Sequence, residues 1–157
     1  WQSRKTITVA NKNKDNLKNL FFVNKVVDGD TIHVNKNEEI IKVRLIGINT
    51  PETVDPRKGV ECYGIEAKNY ISSLLLEKWV EIETDPTQDH YDKYGRLLGY
   101  VFVDRKNINL EMIQEGYAYE YTYKLPYKYQ DEFKLAETMA RNEEKGLWNK
   151  NTCNGDK

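Results

Sequence analysis

From Phe21 the apolar residues begin to alternate with polar ones, through FFVNKVV (21–27), TIHV (31–34) and EEIIKVRLIGI (38–48). A period of two predicts half-buried strands, and the joining segments DGD and NKNEE hold the Asp, Gly and Asn that turns favour. The three runs therefore read as a meander. In the third, Ile41, Val43 and Leu45 share one face while Lys42, Arg44 and Ile46 share the other, because successive side chains of a strand point to opposite sides. TVDPRKGVE (53–61) interrupts with turn formers and the adjacent cations Arg57 and Lys58, and reads as a mobile loop. The period then changes: Ala67, Tyr70, Ile71, Leu74 and Leu75 recur at helical spacing, one apolar face of about four turns.

Trp79 to Thr84 and Arg96 to Val103 return to strand patterning, the second followed by a DRK turn. Asn109 is expected to cap a short helix that ends at Gly116. A last helix is expected after Pro126, with Tyr129, Phe133, Ala136 and Ala140 on one face and Gly146 as its stop. Residues 1–20 are polar and basic, with ITVA the one strand-like run, and read as a loose arm or edge strand; residues 149–157 form a polar tail. Five strands, with a helix between the third and fourth and two helices at the end, predict an α+β fold. It is an all-antiparallel sheet, mainly a β barrel, with three helices packed at one end. That order is the plan of a five-stranded oligonucleotide-binding barrel, the OB-fold, and barrel closure is inferred from the order alone.

Composition narrows the function without choosing it. At 157 residues, 39% hydrophobic and 31% charged, the chain fits one domain, spanning 21–148, with room for one core. Twenty-four basic residues against 25 acidic ones leave a net charge of −1, so any polyanion site must be local. Mean hydropathy is −0.79, and no apolar run approaches the roughly 18 residues that span a bilayer. A monomer is expected, with no membrane partner. Trp1 at the start fits a processed secreted protein or a trimmed chain. Cys62 and Cys153 are too few for a disulfide scaffold. They read either as two unrelated thiols or as one bridge pinning the polar tail in an extracytoplasmic protein.

Candidate chemistry lies at the ends of elements. Asp28-Gly-Asp30-Thr31 would pass alone as a favoured Asp-Gly hairpin turn. Asn49-Thr50-Pro51-Glu52 would pass as a turn with a solvated Glu, Asp92-Lys93-Tyr94-Gly95-Arg96 as a charged loop, and Tyr121-Thr122-Tyr123-Lys124 as loop aromatics. Together they suit one task. Asp30, Asn49 and the Thr50 carbonyl offer oxygen ligands to a hard cation. Arg44 and Arg96 offer planar forks to a phosphodiester gaining charge. Glu52 can orient or deprotonate a water, and Tyr121 and Tyr123 can stack on unpaired bases.

The motifs VVDGDTIHV (26–34), VRLIGINTPE (43–52), RKGVECYG (57–64), DKYGRLLGYVFV (92–103), YTYK (121–124) and the closing GLW resemble the staphylococcal nuclease (thermonuclease) family, in its order and spacing. The resemblance implies a calcium-dependent nuclease on an OB-fold barrel, cleaving single- or double-stranded DNA and RNA to leave 3′-phosphate ends, with single-stranded or locally opened substrate preferred. It implies Asp30 as the carboxylate ligand, Thr50 as the carbonyl ligand, Arg44 and Arg96 as phosphate-binding arginines and Glu52 as general base. Lys58, Tyr121 and Tyr123 match nucleotide-contacting positions, and Asp92 of the DKYGR motif joins the substrate-binding set. The best-known members carry aspartate where this chain has Asn49, so a weaker or retuned calcium site is expected. Asp28 is expected near the metal without being its main ligand. A secreted or cell-surface protein, its signal segment not in this chain, is the implied location. The alternative is a catalytically weak or inactive OB-fold module that only binds nucleic acid; the presence of Arg44, Glu52 and Arg96 favours the enzyme.

Overall fold

A computed structural model describes residues 19–53, 57 and 59–157. The expected N-terminal arm and Lys58 lie outside the described residues. Strands β1 (Phe21–Asp28), β2 (Thr31–Lys36) and β3 (Glu39–Leu45) form the meander, antiparallel with Val26 opposite Ile32 and Ile32 opposite Val43. Their inward residues Val23, Ile32, Val34, Val43 and Leu45 are buried, as alternation predicts. The β2–β3 turn places Asn37 and Glu38 at positive φ, the backbone of a tight two-residue hairpin. Register shifts within β1 sharpen its bend.

Strands β5 (Trp79–Glu83) and β6 (Leu97–Val103) complete the barrel. The order β3-β2-β1-β5-β6 closes through a direct β3–β6 pairing, and that pairing is parallel, Val43 with Leu97, Arg44 with Leu98 and Leu45 with Gly99. The expected all-antiparallel sheet is therefore corrected to a closed mixed barrel. Alternation within a strand reports which face is buried but not the direction of the partner. The third strand also stops earlier than its pattern suggested: Leu45 ends β3, Ile46-Gly47 turn, and β4 (Ile48–Asn49) pairs with β8 (Tyr119–Glu120). Ile46 is buried, and its N–H donates to the Gly99 carbonyl at 3.0 Å, so it belongs to the turn rather than to the Arg44 face.

Helix α1 (Gly64–Leu75) buries Ala67, Ile71 and Leu75. Helix α2 (Ile108–Gln114) follows the short β7 (Lys106–Asn107) and is capped by Asn107, whose side chain accepts from Leu110 N–H. Asn109, expected as the cap, lies inside α2 and fully buried. Its amide oxygen accepts from Val101 N–H at 3.0 Å and its amide nitrogen donates to the Ile46 and Gly99 carbonyls at 2.9 and 3.2 Å. It gives the Val101 N–H and the Ile46 carbonyl hydrogen-bond partners at the β3–β6 closure and adds a second donor to the Gly99 carbonyl. Helix α3 (Gln130–Asn142) buries Phe133, Ala136 and Ala140 and leads to a 3-10 turn, Gly146–Trp148. It starts later than Pro126 because Tyr127 and Lys128 are engaged elsewhere: Tyr127 hydroxyl donates to Glu120, and Lys128 N–H to Asp85.

Cys62 and Cys153 are joined by a disulfide. Residues after Trp148 are packed by it, by Tyr119 hydroxyl donating to the Gly155 carbonyl at 3.2 Å, and by Gly155 lying on the Trp148 ring. No helix among the described residues is long and apolar enough to cross a membrane.

Asp85 ties the barrel to the segment entering α3. Its buried carboxylate accepts from Tyr100 hydroxyl (2.7 Å), Lys128 N–H (2.8 Å), and Thr87 N–H and hydroxyl (2.9 and 2.7 Å). Burial alone would raise its pKa, but these donors outweigh it and hold the carboxyl below its ordinary value of 3.8. Hydrogen bonds to a charged group contribute about 1.5–3 kcal/mol each, and the unpaired Tyr100 hydroxyl adds a penalty. Asp85→Ala is expected to lower unfolding stability by about 3 kcal/mol in a urea titration. A depressed carboxylate stabilises fully above its unfolded pKa and loses that contribution as pH falls through the folded value. The wild type should therefore lose stability below pH 3.8 more steeply than the variant.

Candidate active site

The parallel closure is what builds the site. Arg44 sits opposite Thr31 on β2 and beside Leu98 on β6. Arg96 is two residues before Leu98, so the period of two returns it to the same face. Both arginines line one pocket of about 660 Å³, together with Asn49, Asp92, Tyr121 and Tyr123. Asp30 and Thr50 lie buried beside it, and Glu52 is not among its lining residues.

Arg44 Nη1 donates to the Leu45 and Ile48 carbonyls at 2.6 and 2.9 Å, and Nη2 lies 3.4 Å from Asp30 Oδ2. The guanidinium is thereby fixed by its own turn, with the Nε edge left for an acceptor. A fixed fork of this kind suits bidentate binding of a phosphate. Arg96 is fixed differently. Its Nε donates to Asp92 Oδ2 at 2.6 Å, while Asp92 Oδ1 accepts from the backbone N–H groups of Tyr94 and Arg96 at 2.9 and 3.0 Å. Burial would raise the Asp92 pKa, but the Arg96 and Tyr94 donors and the Arg96 charge hold it below the usual carboxylate value. Asp92, read from sequence as substrate-binding, is thus placed as the holder of Arg96. Both of its oxygens are occupied within the 92–96 turn.

The Asp28-Gly29-Asp30 turn packs against Thr50. A Cβ on Gly29 would stand 2.7 Å from the Thr50 side chain, so glycine is required by close approach. Thr50 N–H donates to Asp30 Oδ2 at 2.9 Å and Thr31 hydroxyl to Asp30 Oδ1 at 3.0 Å. Burial would raise the Asp30 pKa, yet Arg44 and these donors lower it. Asp28 goes the other way, to about 7, because burial, then the charge of Asp30, oppose its ionisation; Glu52 adds to the effect. Glu52 is therefore close enough for its charge to reach the acid pair. Glu52 N–H donates to Glu61 Oε2 at 3.0 Å, and its own Oε1 accepts from Thr53 N–H at 3.1 Å.

Among the described residues no three His, Cys, Asp or Glu side chains converge as a metal cage. The donors present nonetheless fit a hard cation. They are all oxygens, two of them on adjacent buried carboxylates, and Thr50 Oγ1 is buried without a hydrogen-bond partner.

Tyr94, Lys93, Lys124 and Gln88 also line the pocket, without having been singled out in the sequence. For the first three the signal was available, since each lies within a motif already quoted. Gln88 lies outside those motifs. Its amide nitrogen donates to the Leu125 and Pro126 carbonyls at 3.3 and 3.2 Å, tethering the loop that bears Tyr121 and Tyr123.

Residues 42–150 match the family model described as "Staphylococcal nuclease homologue". Similar curated proteins include a thermonuclease of Staphylococcus hyicus, 35% identical over 92% of this chain and 82% of that one. Endonuclease YncB of Bacillus subtilis is 36% identical over 94% of this chain and 69% of the relative. The SPbeta prophage-derived endonuclease YokF of the same organism is 40% identical over 82% of this chain, a match that takes up 44% of that longer protein.

Proposed function

Given that the chain belongs to the staphylococcal nuclease family and is a nuclease hydrolase acting on nucleic acid, we propose that it is a calcium-dependent endonuclease leaving 3′-phosphate ends on DNA and RNA. The parallel β3–β6 pairing carries the reading, because it sets Arg44 and Arg96 on one face beside the Asp30 turn.

Arg44 and Arg96 grip the non-bridging oxygens of one phosphodiester and neutralise the charge that gathers on them as phosphorus becomes five-coordinate. Asp92 keeps the Arg96 fork aimed, and Asp30 with the Leu45 and Ile48 carbonyls does so for Arg44. Glu52 orients the attacking water and takes its proton. The water oxygen bonds to phosphorus as the P–O5′ bond breaks, the 5′-oxygen takes a proton from solvent water, and phosphate stays on the 3′-side. Asp30, Asn49 and the Thr50 carbonyl would hold calcium, with Asp28 contributing through water, and the ion would supply Lewis-acid polarisation of phosphate and water there. Tyr121 and Tyr123 stack on bases beside the scissile phosphate, and Lys58 adds a cationic contact. Stacking needs an exposed base face, which favours single-stranded or locally opened substrate. The chain acts as a monomer in a secreted or extracytoplasmic setting, supported by its disulfide.

A 5′-labelled single-stranded oligonucleotide, cleaved with calcium and then treated with phosphatase, tests the reading. Products that change mobility on phosphatase treatment, and vanish when chelator replaces calcium, are expected. Ends bearing 3′-hydroxyl, or cleavage undiminished by chelator, would overturn it. Asn49→Asp adds a negative charge to the donor set and is expected to tighten calcium about tenfold in a calorimetric titration. An unchanged affinity removes Asn49 from the metal site.

A further inference from the structure

Glu52 and Glu61 close the base of the intervening loop by a two-way link. Glu52 N–H donates to Glu61 Oε2 at 3.0 Å, and Glu61 N–H donates to the Glu52 carbonyl at 2.8 Å. The link holds the backbone of Glu52 to that of Glu61 on either side of the segment between them. Glu61 Oε2 is taken up by the Glu52 N–H, so this carboxylate acts on the protein backbone. The next residue, Cys62, is bonded to Cys153 across a sequence separation of 91.

The segment carrying Cys153 is itself anchored. Gly155 N–H donates to the Leu147 carbonyl at 2.9 Å, the Gly155 carbonyl accepts from Tyr119 hydroxyl, and Tyr119 packs edge-on to Trp148 with ring centroids 5.2 Å apart. Tyr119 is also the ladder partner of Asn49. One C-terminal cap therefore grips the 49–52 segment at both ends, at Asn49 through Tyr119 and at Glu52 through Glu61 and the disulfide.

We propose that Glu61 is a positioning residue for Glu52 and that the Cys62–Cys153 bond, by anchoring Glu61 to the C-terminal cap, makes turnover depend on thiol redox state. The proposal rests on the role given to Glu52 above. The switching step is thiol–disulfide exchange with a dithiol: its two sulfurs are oxidised to a disulfide, the Cys62–Cys153 bond breaks, and each cysteine sulfur takes one proton. Loss of the anchor frees the loop base, and displacement of a water-orienting carboxylate by about 1 Å costs rate even where binding is intact.

The test combines Glu61→Ala and Glu61→Gln with amide exchange and steady-state kinetics, in wild-type and Glu52→Ala backgrounds, with and without a dithiol. Glu61→Ala is expected to lower kcat about tenfold with KM within about twofold, and to speed exchange of the Glu52 amide. Glu61→Gln, which keeps an acceptor oxygen, restores most of the rate. Reduction, or Cys153→Ser, reproduces the fall in kcat in the wild type and adds none in Glu52→Ala. Unchanged kcat and unchanged Glu52 exchange in Glu61→Ala would overturn the proposal, as would an equal loss in the Glu52→Ala background. If Glu52→Ala alone leaves kcat unaltered, the role of Glu52 fails and takes the kinetic part of the proposal with it. Faster Glu52 exchange in Glu61→Ala would still support the tether, so the two failures are distinguishable.

Discussion

Arg96→Ala is expected to lower kcat by about 10³ with a much smaller change in KM, because the guanidinium is asked to meet charge that exists mainly in the transition state. The wild-type side chain is already aimed: Asp92 holds Nε at 2.6 Å and the Tyr94 ring lies 5.3 Å from its central carbon. Arg96→Lys should recover little, since an ammonium lacks the planar fork and cannot use the Asp92 contact while gripping two oxygens. Asp92→Asn weakens the holder and keeps the arginine, so a milder loss, about tenfold, is expected there. A similar loss of kcat in Asp92→Asn and Arg96→Ala would reverse that order and place Asp92 on the substrate. Single-turnover cleavage separates the chemical step from product release in all three variants.

Gly47→Ala is expected to be the most damaging single methyl addition near the site. Gly47 has φ +81, and a Cβ there would stand 2.6 Å from the Tyr127 ring and 2.7 Å from Phe133. The left-handed backbone costs about 1–2 kcal/mol for a residue with a Cβ, and forcing a carbon into packed rings adds about 1–3 kcal/mol. A loss of about 2–5 kcal/mol is expected in chemical denaturation. The functional cost should accompany it. Gly47 lies between β3, which carries Arg44, and β4, which carries Asn49, and its carbonyl accepts from Tyr121 N–H at 2.9 Å and from Tyr127 hydroxyl at 3.3 Å. Movement of this turn displaces Arg44, Asn49 and Tyr121 together. A variant with wild-type stability would refute the packing account of this turn.

What the sequence disclosed follows from the ranges its signals cover. Alternation located the meander and the inward face of β3, and helical spacing located the buried faces of α1 and α3, because burial is written at each position. The parallel β3–β6 closure was hidden, since a strand's own residues do not name its partner's direction. From sequence Asn109 is expected to cap the helix; the backbone shows that Asn107 caps it and Asn109 fastens the barrel. Asp85 and Gln88 gave no local signal because their partners, Tyr100, Lys128, Leu125 and Pro126, are 15 to 43 residues away. Of the candidate site residues named from sequence, Arg44, Asn49, Asp92, Arg96, Tyr121 and Tyr123 line one pocket and Glu52 does not. Asp92, named for substrate binding, lines that pocket and also holds Arg96.

The most direct test of the account compares digestion of single-stranded DNA by the wild type in calcium, by the wild type in chelator, and by Arg96→Ala in calcium. The account predicts cleavage in the first alone, with the other two reduced by about 10³. Equal rates in all three, including no cleavage in any, would contradict it.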